Sequence, residues 1–530
     1  MRDLMITDPR HDKARIKRSK DDLLENSCAW ILNDQVFLSW RDCRDTQLLW
    51  IKGDPGKGKT MMMIALVDEL SSWLNASPGS GTLSYFFCQS TDTRLSSAVS
   101  VLRGLTYLLA DQQKGLIQHI RKRYDRSGSR LFEDHNALEA LWDILRNMSS
   151  DPSLARVYLL VDALDECDDN LGELLDLITS NDCKSISKLK WLVASRNKPM
   201  IEERLRPDAL RLKISLELNS IHISHTVNAF IDFKVQQLAE RKRYNTTLQQ
   251  EVERVLREKA EDTFLWVALV CRELGEVSLR RTRVVLKELP RGLDPLYERM
   301  MEQIQRGNNL EDANLCTQIL RSTTVAYRPL HLQELIPTAD LPGELCEDIP
   351  SVTELVELCG SFLTIRDERI YFVHQSAKDY FSTGRGLRIF PSGISEEHYE
   401  IMCRSLRVMS AVLREDICDL QKPGALTSEA GAKISNSPLV RMEYACCYWA
   451  NHLADYLAKP DCSQHHGSSV CDDGIVHMFF QDHLLHWLEA MSLLRKMSEA
   501  GQTVRVLQSM VEVNSFKWSV LGGTTANQSW

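Results

Sequence analysis

Long apolar runs are absent from this sequence of 530 residues. The longest ones, such as residues 264–271, fall far short of the about 20 apolar residues that a membrane-spanning helix needs. Residues 1–20 are charged and polar, unlike a secretory signal peptide. The 15 cysteines follow no regular spacing, and the adjacent pair Cys446 and Cys447 is poorly placed to form a disulfide. These absences favour a soluble protein of the reducing cytoplasm.

A surplus of positive charge is also missing. Lys and Arg number 64 against 73 Asp and Glu, which gives a formal net charge of −9. No global basic field therefore invites nucleic acid. The 43% hydrophobic and 26% charged residues are typical of a folded globular protein. The length predicts about three or four domains at ~150 residues each.

What the chain has is a phosphate-binding pattern between an apolar strand and an apolar helix. The pattern G-x-x-x-x-G-K-[ST] is filled by Gly53, Asp54, Pro55, Gly56, Lys57, Gly58, Lys59 and Thr60. Residues 48–51 predict a buried strand, and Met61 opens a helical stretch that runs to Leu70. Strand, glycine loop and helix in this order are the context that the motif requires.

The residue types of this loop suit a nucleotide. A phosphate chain needs many N–H donors and no side chains in the way, which the glycines allow. The helix that begins near Lys59 adds the positive end of its dipole. We expect Lys59 to reach the β- and γ-phosphates and the Thr60 hydroxyl to hold Mg²⁺. Pro55, Lys57 and Met61 are counted with the nucleotide-binding residues.

Residues 48–215 alternate short apolar strands with amphipathic helices. This pattern predicts a P-loop NTPase core of the α/β class, a parallel sheet with helices on both faces. The predicted strands cover residues 48–51, 82–87, 157–161 and 191–194. In such sheets ligands bind at the carboxyl ends of the strands.

An acidic cluster follows the strand at 157–161. Asp162 comes first, and a carboxylate at the end of a buried strand beside a phosphate loop is what Mg²⁺ requires. Asp165 or Glu166 is expected to orient or deprotonate the attacking water. Arg196, after the strand at 191–194, is a candidate sensor of the γ-phosphate because it carries a fixed charge on a forked donor. The alternatives are an acidic surface turn and an arginine that pairs with it.

The rest of the chain reads as mostly helical segments around this core. We predict a helical leader at 1–47, the core at 48–215, a helical domain at 216–305, a winged-helix domain at 306–385, and a C-terminal helical segment at 386–530 with a frayed tail. The winged helix is suggested by helices that precede a hairpin. The leader is interpreted as a solvated lead-in helix or, alternatively, as a lid over the nucleotide base.

One single histidine and one group of histidines and cysteines are candidates for binding a ligand or a metal. His374 follows the second hairpin strand, where a lone histidine is more often structural than functional. Zinc-ligand residue types also occur near the C-terminus, although their spacing matches no tight site. They are Cys462, His465, His466, Cys471 and His477.

Six segments together resemble one family. They are LLWIKGDPGKGKT, VYLLVDALDEC, WLVASRN, EDTFLWVALV, LPRGLDPLYERM and YFVHQSAKDYF. The chain resembles the NACHT-domain proteins of the STAND class of P-loop NTPases, and among them the fungal NOD-like, vegetative-incompatibility type. The resemblance runs over roughly residues 5–500 in order. The glycine loop alone is generic, whereas the DALDEC and FVHQSAKDYF segments are much more specific.

The resemblance implies a nucleotide switch. In the family, core, helical domain and winged helix close around ADP, and exchange for ATP with Mg²⁺ opens them and permits oligomerisation. Carried over by position, the phosphate and metal ligands are Gly58, Lys59, Thr60 and Asp162. Arg196 becomes the sensor, and His374 matches a family histidine that contacts the β-phosphate of ADP. Because no base-reading motif separates adenine from guanine, GTP stays a second candidate.

The sequence also departs from the family. Members usually carry an N-terminal effector domain and C-terminal repeats, and this sequence starts near the leader and shows no 40–45-residue periodicity. The expected function is a signalling switch in fungal non-self recognition or programmed cell death, with slow hydrolysis. The alternative is a non-signalling regulator or truncated paralogue that associates with full-length relatives. A motor on nucleic acid is disfavoured by the acidic charge.

Overall fold

The computed structural model describes residues 1–521 except 20–28, 44, 78, 93, 133, 135, 168, 181–187, 209, 308, 422–432, 435–436 and 459–473. The chain divides into two compact units, Met1–Leu296 and Tyr297–Trp530. The finer division into five domains stays a prediction. Four of the candidate zinc ligands (Cys462, His465, His466 and Cys471) and the tail from residue 522 lie outside the described residues.

The first unit is built on a parallel sheet of five strands. They are β1 (Leu48–Lys52), β2 (Thr82–Phe87), β3 (Val157–Asp162), β4 (Leu189–Ser195) and β5 (Arg211–Ser215). Their order is β2-β3-β4-β1-β5. The four strands predicted from apolar runs are confirmed. The fifth has the mixed sequence Arg-Leu-Lys-Ile-Ser, because an edge strand is buried over only part of its length.

Thirteen helices of the first unit connect and flank these strands over the residues that the structure describes. They are α1 (Pro9–Ser19), α2 (Ala29–Leu32), α3 (Gln35–Asp42), α4 (Lys59–Ala76), α5 (Ala98–Gln112), α6 (Ile117–Ser127), α7 (Ala137–Ser149), α8 (Leu171–Thr179), α9 (Pro199–Arg204), α10 (Ser220–Lys242), α11 (Thr246–Lys259), α12 (Phe264–Glu276) and α13 (Thr282–Glu288).

The strand order places helices on both faces of the sheet. The connection through α4 leads from β1 to β2 at the far edge, whereas the later connections step back through β3 and β4 and cross β1 to reach β5. Since parallel crossovers are right-handed, connections that run in opposite directions lie on opposite faces. The fold is thus the P-loop NTPase arrangement that the sequence predicts.

Buried tryptophans fill the centre of the sheet beneath the glycine loop. Trp50 of β1 and Trp191 of β4 are fully buried, and Trp142 of α7 stacks on Trp191 with ring centroids 6.3 Å apart. The Trp50 Nε1–H donates to Ser195 Oγ at 2.9 Å, so its one polar atom is satisfied. The strand that leads into the loop is therefore held on both sides.

The leader is not a solvated segment, which corrects the preferred sequence interpretation. Ile31, Phe37 and Trp40 are at most 1% exposed. The Trp40 ring meets the edge of Tyr158 on β3 with centroids 5.7 Å apart. Asp34 caps α3 by accepting from the Val36 N–H at 2.8 Å. The apolar stripe of this segment thus belongs to the core of the first unit.

The second unit is mostly helical. Helix α14 (Leu293–Gly307) spans the boundary between the units, and the remaining described helices follow it. They are α15 (Leu310–Val325), α16 (Leu332–Thr338), α17 (Ile349–Leu358), α18 (Gln375–Thr383), α19 (Ile394–Val412), α20 (Leu439–Leu457), α21 (Ile475–Leu493) and α22 (Met497–Leu521). A membrane span is not found among the helices that the structure describes, since none is long and apolar enough.

A winged helix lies in this unit, as the sequence predicts. Helices α15, α16 and α17 precede the antiparallel hairpin of β6 (Leu363–Arg366) and β7 (Arg369–Phe372). The stretch between α15 and α16 adds to the hairpin, because the Ile370 N–H donates to Leu330 O at 2.9 Å and His331 bridges to Arg369. Helix α18 follows the wing.

Candidate nucleotide-binding site

The glycine loop lies at the carboxyl edge of the sheet, between β1 and α4. Gly58 is the N-cap of α4 and has a left-handed backbone with φ 84°, and Gly56 has φ 76°. Residues other than glycine adopt this left-handed region of backbone conformation with difficulty. The positive φ values turn the chain sharply enough for α4 to begin at Lys59, so the dipole end of this helix faces the loop.

The two glycines are also needed for close approach. A Cβ on Gly56 would lie 2.7 Å from Cγ2 of Thr263, and one on Gly58 would lie 2.9 Å from the ring of Phe264. Helix α12 begins at Phe264, and Thr263 is its N-cap. The Phe264 N–H donates to Gly56 O at 3.0 Å. The loop therefore packs directly against the start of this helix.

The predicted phosphate-binding side chains lie around the loop. Lys59 Nζ donates to Gly53 O at 2.5 Å and to Asp54 O at 2.9 Å, which holds its ammonium within the loop. Lys57 reaches outward, since its Nζ donates to Glu261 O at 2.8 Å. Pro55 lies in the loop turn, and Met61 is buried in the first turn of α4, facing the core.

The electrostatics show which charges surround Lys59. Burial lowers the pKa of Lys59 to about 8. The attraction of Asp165 and Asp162 raises that pKa, and the repulsion of Arg196 lowers it. All three predicted residues are therefore close enough to act on the loop lysine.

A buried carboxylate marks the end of β3. Asp162 is 2% exposed, and its backbone carbonyl accepts from the Cys88 N–H at 3.1 Å. Thr60 lies in the first turn of α4, the helix that follows the glycine loop. Hydroxyl and carboxylate oxygens form the hard donor set that Mg²⁺ prefers, so the two residues fit a magnesium site.

Beyond Asp162 the chain turns through a left-handed residue. Ala163 has φ 56°, which is uncommon outside glycine. The short 3₁₀ helix Leu164–Glu166 follows and carries the two predicted catalytic carboxylates. Glu166 is half-buried, and its Oε2 accepts from the Ser90 N–H at 3.3 Å. The strained turn thus redirects these side chains at the edge of the sheet.

Asp165 and Arg196 form an ion pair. Arg196 Nε lies 3.0 Å from Asp165 Oδ2, and the Arg196 N–H donates to Asp165 Oδ1 at 2.9 Å. Asp165 is 5% exposed. The structure thus contains the alternative that the sequence leaves open, an arginine paired with the acidic cluster. This pairing occupies both oxygens of Asp165. Glu166 is the better placed of the two carboxylates to meet a water.

His374 belongs to the second unit, where it caps α18. Its Nδ1 accepts from the Ser376 N–H at 3.1 Å and lies 2.7 Å from Ser376 Oγ. Since Nδ1 accepts a backbone proton, the neutral ring carries its own proton on Nε2. Its predicted role toward the nucleotide stays a prediction.

Sequence reasoning missed the residues that hold the loop from outside. Glu217, just beyond β5, accepts from the Asp54 N–H at 2.7 Å. Phe264 holds Gly56 from the other side. Neither residue belongs to the phosphate-binding motif. Glu217 comes near the loop because β5 pairs with β1, and a pairing between strands so far apart in the chain cannot be predicted from a local pattern. A signal was present only for Phe264, which stands in one of the six quoted segments.

The chain is similar to known proteins over the region that carries the site. The model of the family described as Nephrocystin 3, N-terminal, matches residues 26–196, from the leader to Arg196. The chain is 43% identical over 523 residues to the vegetative incompatibility protein HET-E-1 of Podospora anserina. This match covers 96% of the chain and 38% of that protein, so the chain spans well under half of the relative's length.

Solved structures give weaker matches. The ORC2 protein of Aeropyrum pernix, in ADPNP and ADP complexes, is 10% identical with a TM-score of 0.34, over 73% of this chain and 98% of that one. PCH-2 of C. elegans is 11% identical with a TM-score of 0.30, over 52% of this chain and 70% of that one.

Proposed function

Because this chain belongs to the fungal NOD-like, vegetative-incompatibility type of NACHT P-loop NTPases, we propose that it is a switch whose states bind ADP and ATP with different affinities. The observation that carries the proposal is the grouping of the glycine loop, Asp162 and the Arg196–Asp165 pair at one edge of one sheet. A switch of this kind needs differential affinity for the two nucleotides, and it works with slow hydrolysis.

In this proposal the glycine loop and the start of α4 bind the phosphates. The backbone N–H groups of the loop and of the first helical turn donate to phosphate oxygens. Lys59, already held within the loop, neutralises the β- and γ-phosphates. Phosphate contact would offset the effect of burial, because a polyanion raises the pKa of a lysine beside it.

Thr60 and Asp162 would hold Mg²⁺ through their oxygens. When bound, the ion supplies charge neutralisation for the phosphates. Arg196, oriented by Asp165, presents its remaining N–H donors to the γ-phosphate. Glu166 orients the attacking water, because it is half-buried and lies outside the pair.

His374 is assigned to the β-phosphate of ADP by the family resemblance. The local geometry supports a donor role, since Nδ1 is used as an acceptor and Nε2 carries the proton. A neutral histidine that donates to a diphosphate favours the ADP state over the ATP state only if the contact differs between them. His374→Ala should therefore bind ADP more weakly and shift the population toward the ATP state.

The wider role in this proposal is signalling in vegetative incompatibility. It rests on the similarity to HET-E-1, which is named a vegetative incompatibility protein. We place the chain in the cytoplasm, where its cysteines remain reduced; those in the described part are free thiols. We further propose that the ATP state associates with other NACHT-family chains, as copies or as relatives.

The experiment that tests nucleotide binding is direct. The chain is purified at low salt and denatured, and any released nucleotide is identified by chromatography. We expect stoichiometric ADP from the parent and none from Lys59→Ala. Lys287→Ala, which removes an exposed lysine of α13, is the matched control and should keep its ADP.

Two further results would overturn the proposal. One is a folded parent that releases no nucleotide and also fails to bind added ADP or ATP. The other is Lys59→Ala that retains as much ADP as the parent. If guanine nucleotide is released instead of adenine, the switch remains and its base specificity is corrected.

A further inference from the structure

The start of the glycine loop is held by a residue outside the motif. Glu217 Oε1 accepts from the Asp54 N–H at 2.7 Å. We propose that Glu217 is a positioning residue for the glycine loop, which it fixes in the shape that receives the phosphates. The proposal rests on the nucleotide switch proposed above and adds a residue to its binding machinery.

Glu217 is itself held in a tight corner. Strand β5 ends at Ser215, and Leu216 N–H donates to Lys52 O at 2.9 Å, beside the loop. The side-chain amide of Asn219 donates to Ser215 O at 2.8 Å and closes the turn. Ser215 Oγ donates to Glu217 Oε2 at 2.9 Å. Both carboxylate oxygens are therefore engaged, and the side chain is aimed at the loop.

The loop needs such a partner where it leaves the sheet. Gly53 N–H still bonds to Ser195 O at 3.3 Å, but the next residue, Asp54, lies beyond the strand. Asp54 is exposed, and Glu217 supplies its N–H with an acceptor that is held by the protein itself. Gly53 also packs against Leu216, since a Cβ on it would lie 2.9 Å from Leu216 Cδ1.

The middle of the loop is held differently. Gly56 O accepts from the Phe264 N–H at 3.0 Å, and Lys57 Nζ donates to Glu261 O at 2.8 Å. These contacts come from the residues at the start of α12, whereas Glu217 lies just beyond strand β5. In the first turn of the loop, the Asp54 N–H donates to Glu217, whereas the carbonyls of Gly53 and Asp54 accept from Lys59 Nζ. A loop fixed before the ligand arrives binds more tightly, because less freedom is lost on binding.

The test uses three variants of the full chain. Glu217→Ala removes the acceptor, and Glu217→Gln keeps an oxygen for the Asp54 N–H while removing the charge. Glu203→Ala removes an exposed glutamate of α9 and is the matched control. The readouts are hydrogen exchange of the peptide that contains Asp54, without nucleotide, and the Kd for ADP.

For Glu217→Ala we expect exchange of this amide to quicken about tenfold and the Kd for ADP to rise about tenfold, as loss of one hydrogen bond implies. Glu217→Gln should stay within about twofold of the parent, because an amide oxygen still accepts. Glu203→Ala should behave as the parent. Rescue by glutamine separates positioning through the hydrogen bond from an effect of charge.

Unchanged exchange in Glu217→Ala, or a glutamine variant as impaired as alanine, would overturn the inference. If Glu217→Ala fails to fold, Ser215→Ala replaces it, since it frees Glu217 Oε2 only; faster exchange supports the inference and parent-like exchange opposes it. A different result would refute the nucleotide switch but not the role of Glu217. In that case the parent binds no nucleotide, while hydrogen exchange is still faster in Glu217→Ala than in the parent, Glu217→Gln and Glu203→Ala.

Discussion

Two glycines of the first unit share a left-handed backbone but differ in surroundings. Gly58 and Gly79 both have φ 84°. A Cβ on Gly58 would lie 2.9 Å from the Phe264 ring, whereas a Cβ on Gly79 meets nothing within 4 Å. The pair therefore separates the cost of the backbone angle from the cost of blocking the loop.

We predict that Gly58→Ala weakens ADP binding at least tenfold, whereas Gly79→Ala costs about 1 kcal/mol of stability and leaves the Kd unchanged. The reason is that the new methyl group must displace Phe264 and distort the phosphate cradle. Calorimetric titration with ADP and thermal unfolding measure the two effects. Equal losses of affinity in both variants would show that the backbone angle alone matters.

The carboxylates at 165 and 166 are adjacent in sequence but not equivalent in structure. Asp165 is 5% exposed and paired with Arg196, and Glu166 is half-buried and outside this pair. We predict that Asp165→Ala lowers the free energy of unfolding by about 3 kcal/mol, because it leaves a largely buried guanidinium without its carboxylate. Urea unfolding measures this loss.

Glu166→Gln is the matched variant at the neighbouring carboxylate. We predict that it leaves stability nearly unchanged and slows single-turnover ATP hydrolysis about 100-fold, within the range that loss of a general base produces. Binding of ATP should persist, since Glu166 is not assigned to the phosphates. The reverse pattern, with stability lost at 166 and turnover lost at 165, would exchange the two roles.

At the scale of elements, apolar runs predicted the strands well and the sheet order not at all. β3 is apolar without interruption from Val157 to Val161, so its burial on both faces is visible in the sequence. The position of β4 between β1 and β3 depends on contacts far apart in the chain. The leader was misjudged because Ile31, Phe37 and Trp40 are spaced irregularly, although all three are buried.

The same limit applies to the candidate site. The motif residues of the loop, with Asp162 and Arg196, follow from local sequence because each lies at the end of an apolar strand or directly after one. Glu217 and the entry to α12 do not, because their role depends on which strand lies beside β1 and which helix covers the loop. The residues expected to bind the nucleotide can be predicted from the local sequence. The residues that hold the loop in place depend on tertiary contacts and cannot.

A buried ion pair joins the elements of the winged helix to α20. Glu334 of α16 is 1% exposed and bonds both terminal nitrogens of Arg328 at 2.7 Å. It also accepts from the His331 N–H at 2.8 Å and from the Tyr444 N–H at 3.1 Å. One carboxylate thus serves as helix cap, salt-bridge partner and link to the next helix.

We predict that Glu334→Ala lowers the free energy of unfolding of the second unit by about 3 kcal/mol, since it removes the nearer carboxylate of a buried guanidinium, leaving Glu443 at 3.5 Å, and the acceptor of two backbone donors. Glu344→Ala, at an exposed glutamate nearby, should change it by less than about 0.5 kcal/mol. Urea unfolding is the measurement. Similar midpoints for the two variants would mean that the pair adds nothing to this unit.

At the scale of the whole molecule, pH acts on the second unit through two buried histidines. His452 is fully buried, and its Nε2 lies 2.7 Å from the Tyr444 hydroxyl. Its Nδ1 lies 2.8 Å from Nδ1 of His398, which is 8% exposed. Because two ring nitrogens face each other, one must carry a hydrogen and the other must accept it. The network is satisfied when both rings are neutral.

Burial lowers the pKa of His452 well below its ordinary value of 6.5, and repulsion by a charged His398 lowers it further. The unfolded chain therefore binds a proton below pH 6.5 that the folded chain rejects. Stability from this group is present above that pH and is lost as the pH falls, by about 1.4 kcal/mol per pH unit for one proton.

We therefore predict that the urea midpoint of the second unit falls as the pH is lowered from about 7.5 to about 5, with a slope near one proton. His452→Gln should be less stable at neutral pH, because it breaks the contacts to Tyr444 and His398, but its midpoint should vary less with pH. His477→Gln, at an exposed histidine, should keep the slope of the parent. A parent midpoint that stays level over this range would show that the folded chain accepts the proton, and the pair would then have to share it.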